Sequence, residues 1–336
     1  MKSSPPHRET TQRVKAPAGR GATLADYVSA DDAMLRCLRL AELAARTDLP
    51  VMVLGESGTG KTVIAQAIHQ SSARREGPFV SFNAAALSDT LLDSQLFGHE
   101  KGAFTGADRQ VKGKFELAHN GTLFFDEIAD LTLAGQAKIL RAVEEGEFER
   151  LGGEGLLRAD VRLVTATCHP IREFVESRQF RRDLFYRIKG ITIVVPPLRE
   201  RRKDLPRLIR REIRQSADAM GKTLTGIEAA ALERLLAHAW PGNLRELKQV
   251  IRVAVALAEE DTIALEHLIL DEFEADGPVP AATTTAAAPA GTLAEAEKRH
   301  IEATLRALDN NKRQTAKALG VSRSTLDRKL TQFGLE

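Results

Sequence analysis

The chain has 336 residues, of which 43% are hydrophobic and 28% charged, with a formal net charge of +2. That length suggests two or three domains, and the composition fits a globular protein with no apolar run approaching membrane-spanning length. Two cysteines, Cys37 and Cys168, show neither a pairing pattern nor metal-ligand spacing, which argues against a zinc site and favours a reducing cytoplasm. The N-terminus, Met1 to Arg8, leads into no apolar run and does not read as a signal peptide.

Residues 1–25 are polar and contain Pro5, Pro6 and Pro17, which predicts a flexible arm too short to be a regulatory domain. Over 26–200, short apolar runs alternate with amphipathic stretches. Val51–Leu54, Pro78–Phe82, Thr122–Asp126, Val161–Thr165 and Ile191–Val195 are the strand candidates, and their spacing predicts an α/β core with a parallel sheet covered on both faces. Over 201–272 the pattern turns helical throughout and predicts a small lid. Thr225-Gly226-Ile227-Glu228 and Asn243-Leu244-Arg245-Glu246 have capping-box spacing, so Thr225 and Asn243 are expected to cap two helices. Residues 273–291 are rich in Pro, Ala and Thr and predict a linker. Over 292–336 a small all-α domain is expected, with its first helix, Leu293–Leu308, as a dimerisation element.

Gly55-Glu56-Ser57-Gly58-Thr59-Gly60-Lys61-Thr62 follows a strand candidate and has the Walker A spacing. Glycines let backbone N–H groups curl around phosphates, and the following helix N-terminus adds partial positive charge. In that pattern Lys61 contacts the β- and γ-phosphates of ATP and the Thr62 hydroxyl ligates Mg2+. Asp126-Glu127 ends an apolar strand, so both carboxylates emerge at the sheet's C-terminal edge, where ligands bind in open α/β folds. Asp126 is expected to hold Mg2+ through water and Glu127 to polarise the attacking water. Between these motifs, Gly102-Ala103-Phe104-Thr105-Gly106-Ala107 brackets one aromatic residue and one hydroxyl with glycines. That composition suits a mobile tip presenting Phe104 to a partner.

At the C-terminal end, Gln314–Leu330 has helix-turn-helix form. Ala316 and Leu319 are apolar one turn apart, Gly320 stops the first helix, Ser322 caps the second, and Leu326 and Leu330 face inward. Arg323, Ser324, Thr325, Arg328 and Lys329, with Ser322, are then the DNA-contacting candidates. From Lys312 to Lys329 six basic residues face one acid, Asp327, a local charge of +5 suited to a phosphate backbone.

The ordered motifs resemble those of bacterial enhancer-binding proteins, the AAA+ ATPases that remodel sigma-54 RNA polymerase. Residues 102–107 match the GAFTGA loop of that family in full, and the terminal segment is similar to its Fis-type module. The resemblance covers about residues 25–336. It implies an AAA+ P-loop fold with a helical lid, ATP hydrolysis with Mg2+, and contact of Gly102–Ala107 with sigma-54. It also implies enhancer DNA binding as dimers and a ring, a hexamer in the family. By the same resemblance Asn83 restrains the catalytic Glu127, and Arg181 and Arg187 are arginine fingers that enter the neighbouring subunit's site. Arg245 takes the sensor II position, reaching its own subunit's nucleotide. Two departures stand out: the family usually has an acidic residue at the position of Thr62 and asparagine at that of Cys168. A thiol is a weak hydrogen-bonder, so Thr167 would carry the sensor I role and Cys168 would be inert. A sensor domain common in the family has no counterpart in these residues, which implies control by a trans-acting partner, by expression level, or by a domain outside this sequence. A different AAA+ machine would lack 102–107 and the terminal module. A DNA-binding regulator with a degenerate ATPase would lack Lys61, Asp126, Glu127 or the loop.

Overall fold

The computed structural model describes residues 22–84, 89–259, 261–270, 298, 301, 302, 304, 305, 311–318, 321 and 323–333. The chain divides into two compact units, Met1–Asp271 and Glu272–Glu336. The predicted linker and most of the predicted arm lie outside the described residues.

In the first unit, α1 (Asp32–Ala45), β1 (Val51–Leu54), α2 (Lys61–Gln70) and β2 (Phe79–Asn83) come first. Next are α3 (Asp89–Phe97), β3 (Gly98–His99), β4 (Val111–Lys112), α4 (Lys114–Leu117), β5 (Gly121–Asp126) and α5 (Leu133–Glu145). They are followed by β6 (Glu147–Glu149), β7 (Leu156–Arg158), β8 (Val161–Thr167), α6 (Ile171–Glu176), α7 (Arg182–Ile188) and β9 (Ile191–Val194). Strands β2, β5, β8, β1 and β9 form one sheet in that order, and every pairing in it is parallel. Parallel sheets hide both faces, which is why these strands read as apolar runs. Successive residues take opposite faces. Val51, Val53, Phe124 and Val164 join a core with α1 and α2, while Met52, Leu123 and Phe125 join the other core with Phe97, Phe115 and Ile139.

Each of the five strand candidates is a strand of the sheet; β1 has the expected bounds, Val51–Leu54, and the other four differ by a residue or two at their ends. The largest shift is functional: β8 runs on to Thr167, so Thr165–Thr167 belong to the strand and Cys168 is the first residue beyond it. The arm also ends earlier than expected. Leu24 is 4% exposed, and its N–H donates to Ser71 Oγ at 3.0 Å, so it belongs to the folded body.

The lid contains α8 (Leu205–Met220), β10 (Gly226–Ile227), α9 (Ala229–Ala237), α10 (Asn243–Leu257) and β11 (Thr262–Ile263). It is not helical throughout, because β10 and β11 pair in parallel. Thr225 consequently caps no helix: its N–H and hydroxyl both donate to Asp261 O, at 2.6 and 2.9 Å. Helix α9 starts after Glu228 instead. Leu205, Ile209, Leu235, Leu247, Ile251 and Val255 make the lid core around Trp240. The fully buried indole donates to Leu235 O at 3.0 Å, which satisfies its one polar atom.

In the second unit Lys298, Ile301, Glu302, Thr304 and Leu305 are helical; the rest of the expected Leu293–Leu308 element lies outside the described residues. Helices α11 (Lys312–Ala318) and α12 (Arg323–Phe333) follow. Asn311 starts α11, its Oδ1 accepting from Gln314 N at 3.2 Å. Ile301, Leu305, Ala316, Leu326 and Leu330 form the core, as the spacing of the last three predicts. Leu319, Gly320 and Ser322 lie outside the described residues.

Candidate active site

The site lies where β1, β5 and β8 end. Lys61, first residue of α2, is only 6% exposed. Its Nζ donates to Gly55 O at 3.0 Å and Glu56 O at 3.4 Å, and stands 3.3 Å from Glu127 Oε1. Thr62 Oγ1 donates to Asp126 Oδ2 at 3.4 Å. The β2–β5 register sets Asn83 beside Asp126. Lys61, Thr62, Asn83, Asp126 and Glu127, drawn from distant stretches of chain, therefore share one edge of the sheet.

The two neighbouring carboxylates are tuned apart. Burial, then the negative charge of Glu127, pushes Asp126 above the ordinary carboxylate range, against Lys61 and Thr62. Burial also works to raise Glu127, but the Cys168 amide and the Lys61 charge outweigh it and hold Glu127 below its ordinary value. Glu127 Oε2 accepts from that amide at 2.8 Å. Glu127 itself has φ 52°, a left-handed conformation uncommon outside glycine.

The lid grips the phosphate loop through contacts that the motif spacing did not reveal. Asn243 is not an N-cap. Its side chain donates to Ser57 O at 3.0 Å and Glu56 Oε2 at 3.1 Å and accepts from Leu198 N at 2.7 Å. No capping box forms: Gly242, which has no side chain, stands at the N-cap of α10, and Glu246 Oε2 accepts from its N–H at 2.7 Å. Arg245 Nη1 donates to Ser57 Oγ at 2.7 Å, placing this predicted residue on the loop. Arg199 clamps Glu56 with two hydrogen bonds of 2.5 and 2.8 Å. The guanidinium, helped by Asn243 against burial, holds Glu56 below the usual carboxylate range. Beside Thr59 and Gly60 a cavity of about 330 Å³ opens, lined among others by Tyr27, Val28, Met34, Arg201 and Leu244. These cavity residues come from four separate segments and form no sequence motif.

Arg181 and Arg187 lie apart from these groups. Arg181 pairs with Asp183 at 2.6 Å. Arg187 donates to Val143 O and Glu144 O at 3.3 and 3.4 Å. Thr167 is fully buried and its Oγ1 accepts from His169 N at 3.0 Å. Cys168 is exposed and makes the contact with Glu127.

Gly102–Ala107 caps the β3–β4 hairpin, whose register pairs Gly98 with Lys112 and His99 with Val111. Gly102 N donates to Ala107 O at 2.8 Å and Ala107 N to Phe104 O at 3.0 Å, closing the tip. Gly102 and Gly106 have φ of 84° and 102°. Phe104 lies edge-on to His99 with ring centroids 5.0 Å apart and is 36% exposed. Ala103 packs toward Gly152 and Ala107 is buried, while Thr105 is exposed. On α12, Arg323 and Arg328 are exposed and Thr325 and Lys329 partly so. Ser324 shares that helix, and Asp327 Oδ2 lies 4.0 Å from Arg323 Nε.

Residues 27–194 match the sigma-54 interaction domain, 199–284 the AAA+ ATPase lid domain, and 292–333 the Fis family of bacterial regulatory proteins. The transcriptional regulatory protein ZraR of Klebsiella oxytoca is 43% identical over 305 residues, covering 89% of this chain and 67% of ZraR. The Nif-specific regulatory protein of the same organism is 43% identical over 295 residues, covering 87% of this chain and 55% of its own length. NtrC of Rhizobium meliloti is 38% identical over 333 residues, covering 90% and 68%. Among solved structures, NtrX from Brucella abortus in complex with ATP superposes with a TM-score of 0.66 at 33% identity, covering 92% of this chain and 69% of NtrX. Among the described residues no helix is long and apolar enough to cross a membrane. The family shared by these relatives and matched along the chain is the one the motifs pointed to: this protein belongs to the sigma-54 interaction-domain transcriptional regulators, AAA+ ATPases with a helical lid and a Fis-family DNA-binding domain.

Proposed function

We propose that this protein binds enhancer DNA as dimers, assembles into a ring, a hexamer by family resemblance, and couples ATP hydrolysis to remodelling of the sigma-54 RNA polymerase closed complex in the cytoplasm. The observation that carries this reading is the Gly102–Ala107 tip, presented by a hairpin of the same unit that brings Lys61, Asp126 and Glu127 together.

The residues fit the cofactor. Thr62 and Asp126 offer hard oxygen donors 3.4 Å apart, the donor type that Mg2+ takes. ATP with Mg2+ supplies the phosphoanhydride bond and neutralises its charge. The Gly55–Gly60 backbone and Lys61 hold phosphates, and Arg245 and Glu56 secure the loop through the lid. Glu127, kept ionised, orients and takes a proton from attacking water. Lys61, now 3.3 Å from Glu127 Oε1, would turn to the phosphates of bound nucleotide and so free the carboxylate. Asn83 restrains Glu127 until the loop engages its partner. Arg181, just before α7, and Arg187, on it, serve the adjacent subunit's phosphate. A guanidinium in that role contributes about 10³–10⁵ in rate in well-studied GTPases. Phe104 and Thr105 contact sigma-54, and Ser322, Arg323, Ser324, Thr325, Arg328 and Lys329 contact DNA.

Chemistry and remodelling are separable steps, so their defects should separate. Thr105→Ala is expected to keep ATP turnover and to lose open-complex formation on a sigma-54 promoter, while Lys61→Ala loses both. Unchanged promoter opening by Thr105→Ala would refute the assignment of the loop.

A further inference from the structure

We propose that Glu127, Cys168 and His169 form a site for a borderline-soft divalent cation, Zn2+ above all, and that its occupation removes Glu127 from ATP hydrolysis. A carboxylate oxygen of Glu127, the Cys168 sulfur and a ring nitrogen of His169 all lie within 4.8 Å of one another. The inference rests on Glu127 being the hydrolytic carboxylate.

The fold creates this set. Strands β5 and β8 are parallel neighbours, with Phe125 opposite Thr165. The residues just past their C-terminal ends therefore meet. Spacing along the chain argued against zinc because it looks for pairs of cysteine and histidine. Here one Cys-His pair is completed by a carboxylate 41 residues away.

Three ligands of N, S and O type are what an open Zn2+ site uses, with solvent in the fourth position. Bonds of about 2.0–2.3 Å to a tetrahedral ion put ligand atoms roughly 3.3–3.8 Å apart. The set must close by about an ångström, and exposed side chains do this by rotation about χ angles. Cys168 is exposed and the His169 side chain is 36% exposed. His169 Nε2 also stands 2.9 Å from Asp130 Oδ1. A carboxylate on a histidine ring fixes its orientation and raises its basicity as a ligand. Glu127 divides its oxygens: Oε1 lies 3.3 Å from Lys61, and Oε2 meets the Cys168 amide. Coordination through Oε2 leaves the Lys61 contact in place. The Cys168 thiol gives its proton to solvent as the thiolate binds.

A Glu127 whose charge is shared with a bound divalent cation is a much weaker base toward water. Losing a general base slows a reaction by about 10²–10⁴, so Zn2+ is expected to cut turnover of the intact chain at least about tenfold, in excess Mg2+ and ATP. Each variant is compared with its own zinc-free rate. Cys168→Ser and His169→Gln should lose most of the inhibition, and Cys37→Ser should retain it. Direct binding is read with Co2+, whose thiolate charge-transfer absorption should appear in the full chain and in Cys37→Ser and vanish in Cys168→Ser. Equal fractional inhibition of wild type and Cys168→Ser would place zinc at the Thr62–Asp126 pair or elsewhere and overturn the proposal. A cobalt band lost in Cys37→Ser but kept in Cys168→Ser would overturn it as well. A chain without turnover would sink the hydrolysis reading, and the cobalt band would still decide the metal site.

Discussion

A methyl group on residue 58 would lie 2.3 Å from the carbonyl oxygen of Gly242 and 3.1 Å from Arg245 Cβ. Gly58 also has φ 77°, and its own carbonyl accepts from Leu244 N at 3.0 Å. This residue is thus a joint between phosphate loop and lid as well as a turn. Gly58→Ala must either push the lid off the loop or distort the loop, and both misplace the N–H groups that hold phosphates. The expected result is ATP affinity weaker by at least about tenfold, about 1.4 kcal/mol, with the fold retained. Titration with a fluorescent ATP analogue checks it, and affinity equal to wild type would show that the lid contact is idle. The Walker spacing shows that residue 58 is glycine in a phosphate loop. It does not show what crowds it, because Gly242 is distant in the chain. The same blindness explains Asn243: its capping-box spacing is present, yet its φ of 53° and its bonds to Glu56, Ser57 and Leu198 commit it to the loop.

Elements with long apolar runs were legible, and short ones were not. Strand β5 reads plainly because all but its last residue are buried. Strands β3, β4, β10 and β11 have two residues each, too few for an alternating pattern, and exist because tertiary contacts align them. The hairpin that carries Gly102–Ala107 is of this kind, so its tip was recognisable from residue types while its support was not. That support centres on Arg150. Its guanidinium joins Glu100 at 2.7 Å, beside β3, to Glu116 at 2.5 Å on α4. Glu100 also accepts from Gln110 at 2.8 Å, across the hairpin. Arg150 is 15% exposed and Glu116 18%, so removing the guanidinium leaves a largely buried carboxylate with only the exposed Lys112, 3.3 Å away, as its cation. Arg150→Ala is expected to cost about 1–3 kcal/mol locally and to loosen the hairpin against the core. Because no contact of Arg150 reaches Lys61 or Glu127, ATP turnover should largely survive while promoter opening fails. Parallel assays of ATPase rate and open-complex formation decide this. Loss of turnover in step with opening would mean that the hairpin's support also shapes the active site.

At the scale of the whole molecule, two units with separate cores divide two tasks. The ATPase unit holds every group assigned to nucleotide chemistry, and the second unit holds the basic segment with local charge +5. Its core is small, built on Ile301, Leu305, Ala316, Leu326 and Leu330, which is why dimerisation is the natural source of further stability. A chain ending at Asp271 should therefore keep its ATPase and lose enhancer binding. Binding by the full chain should fall steeply with salt, because each phosphate neutralised by Lys or Arg releases condensed counterions. Two substitutions on α12 separate readout from attraction. Arg323 lies in the first turn of α12 and is exposed, the position from which a recognition helix reaches base edges. Arg323→Ala should cost about 1–3 kcal/mol on the enhancer and relax base preference there. Lys329 lies almost two turns further on, so Lys329→Ala should weaken enhancer and scrambled DNA alike and flatten the salt dependence. At high concentration the shortened chain should still open promoters, since enhancer DNA acts chiefly by raising local concentration. Fluorescence anisotropy at several salt concentrations, on enhancer and scrambled DNA, measures all four chains. Salt-dependent enhancer binding by the shortened chain equal to that of the full chain would move the DNA site onto the ATPase unit.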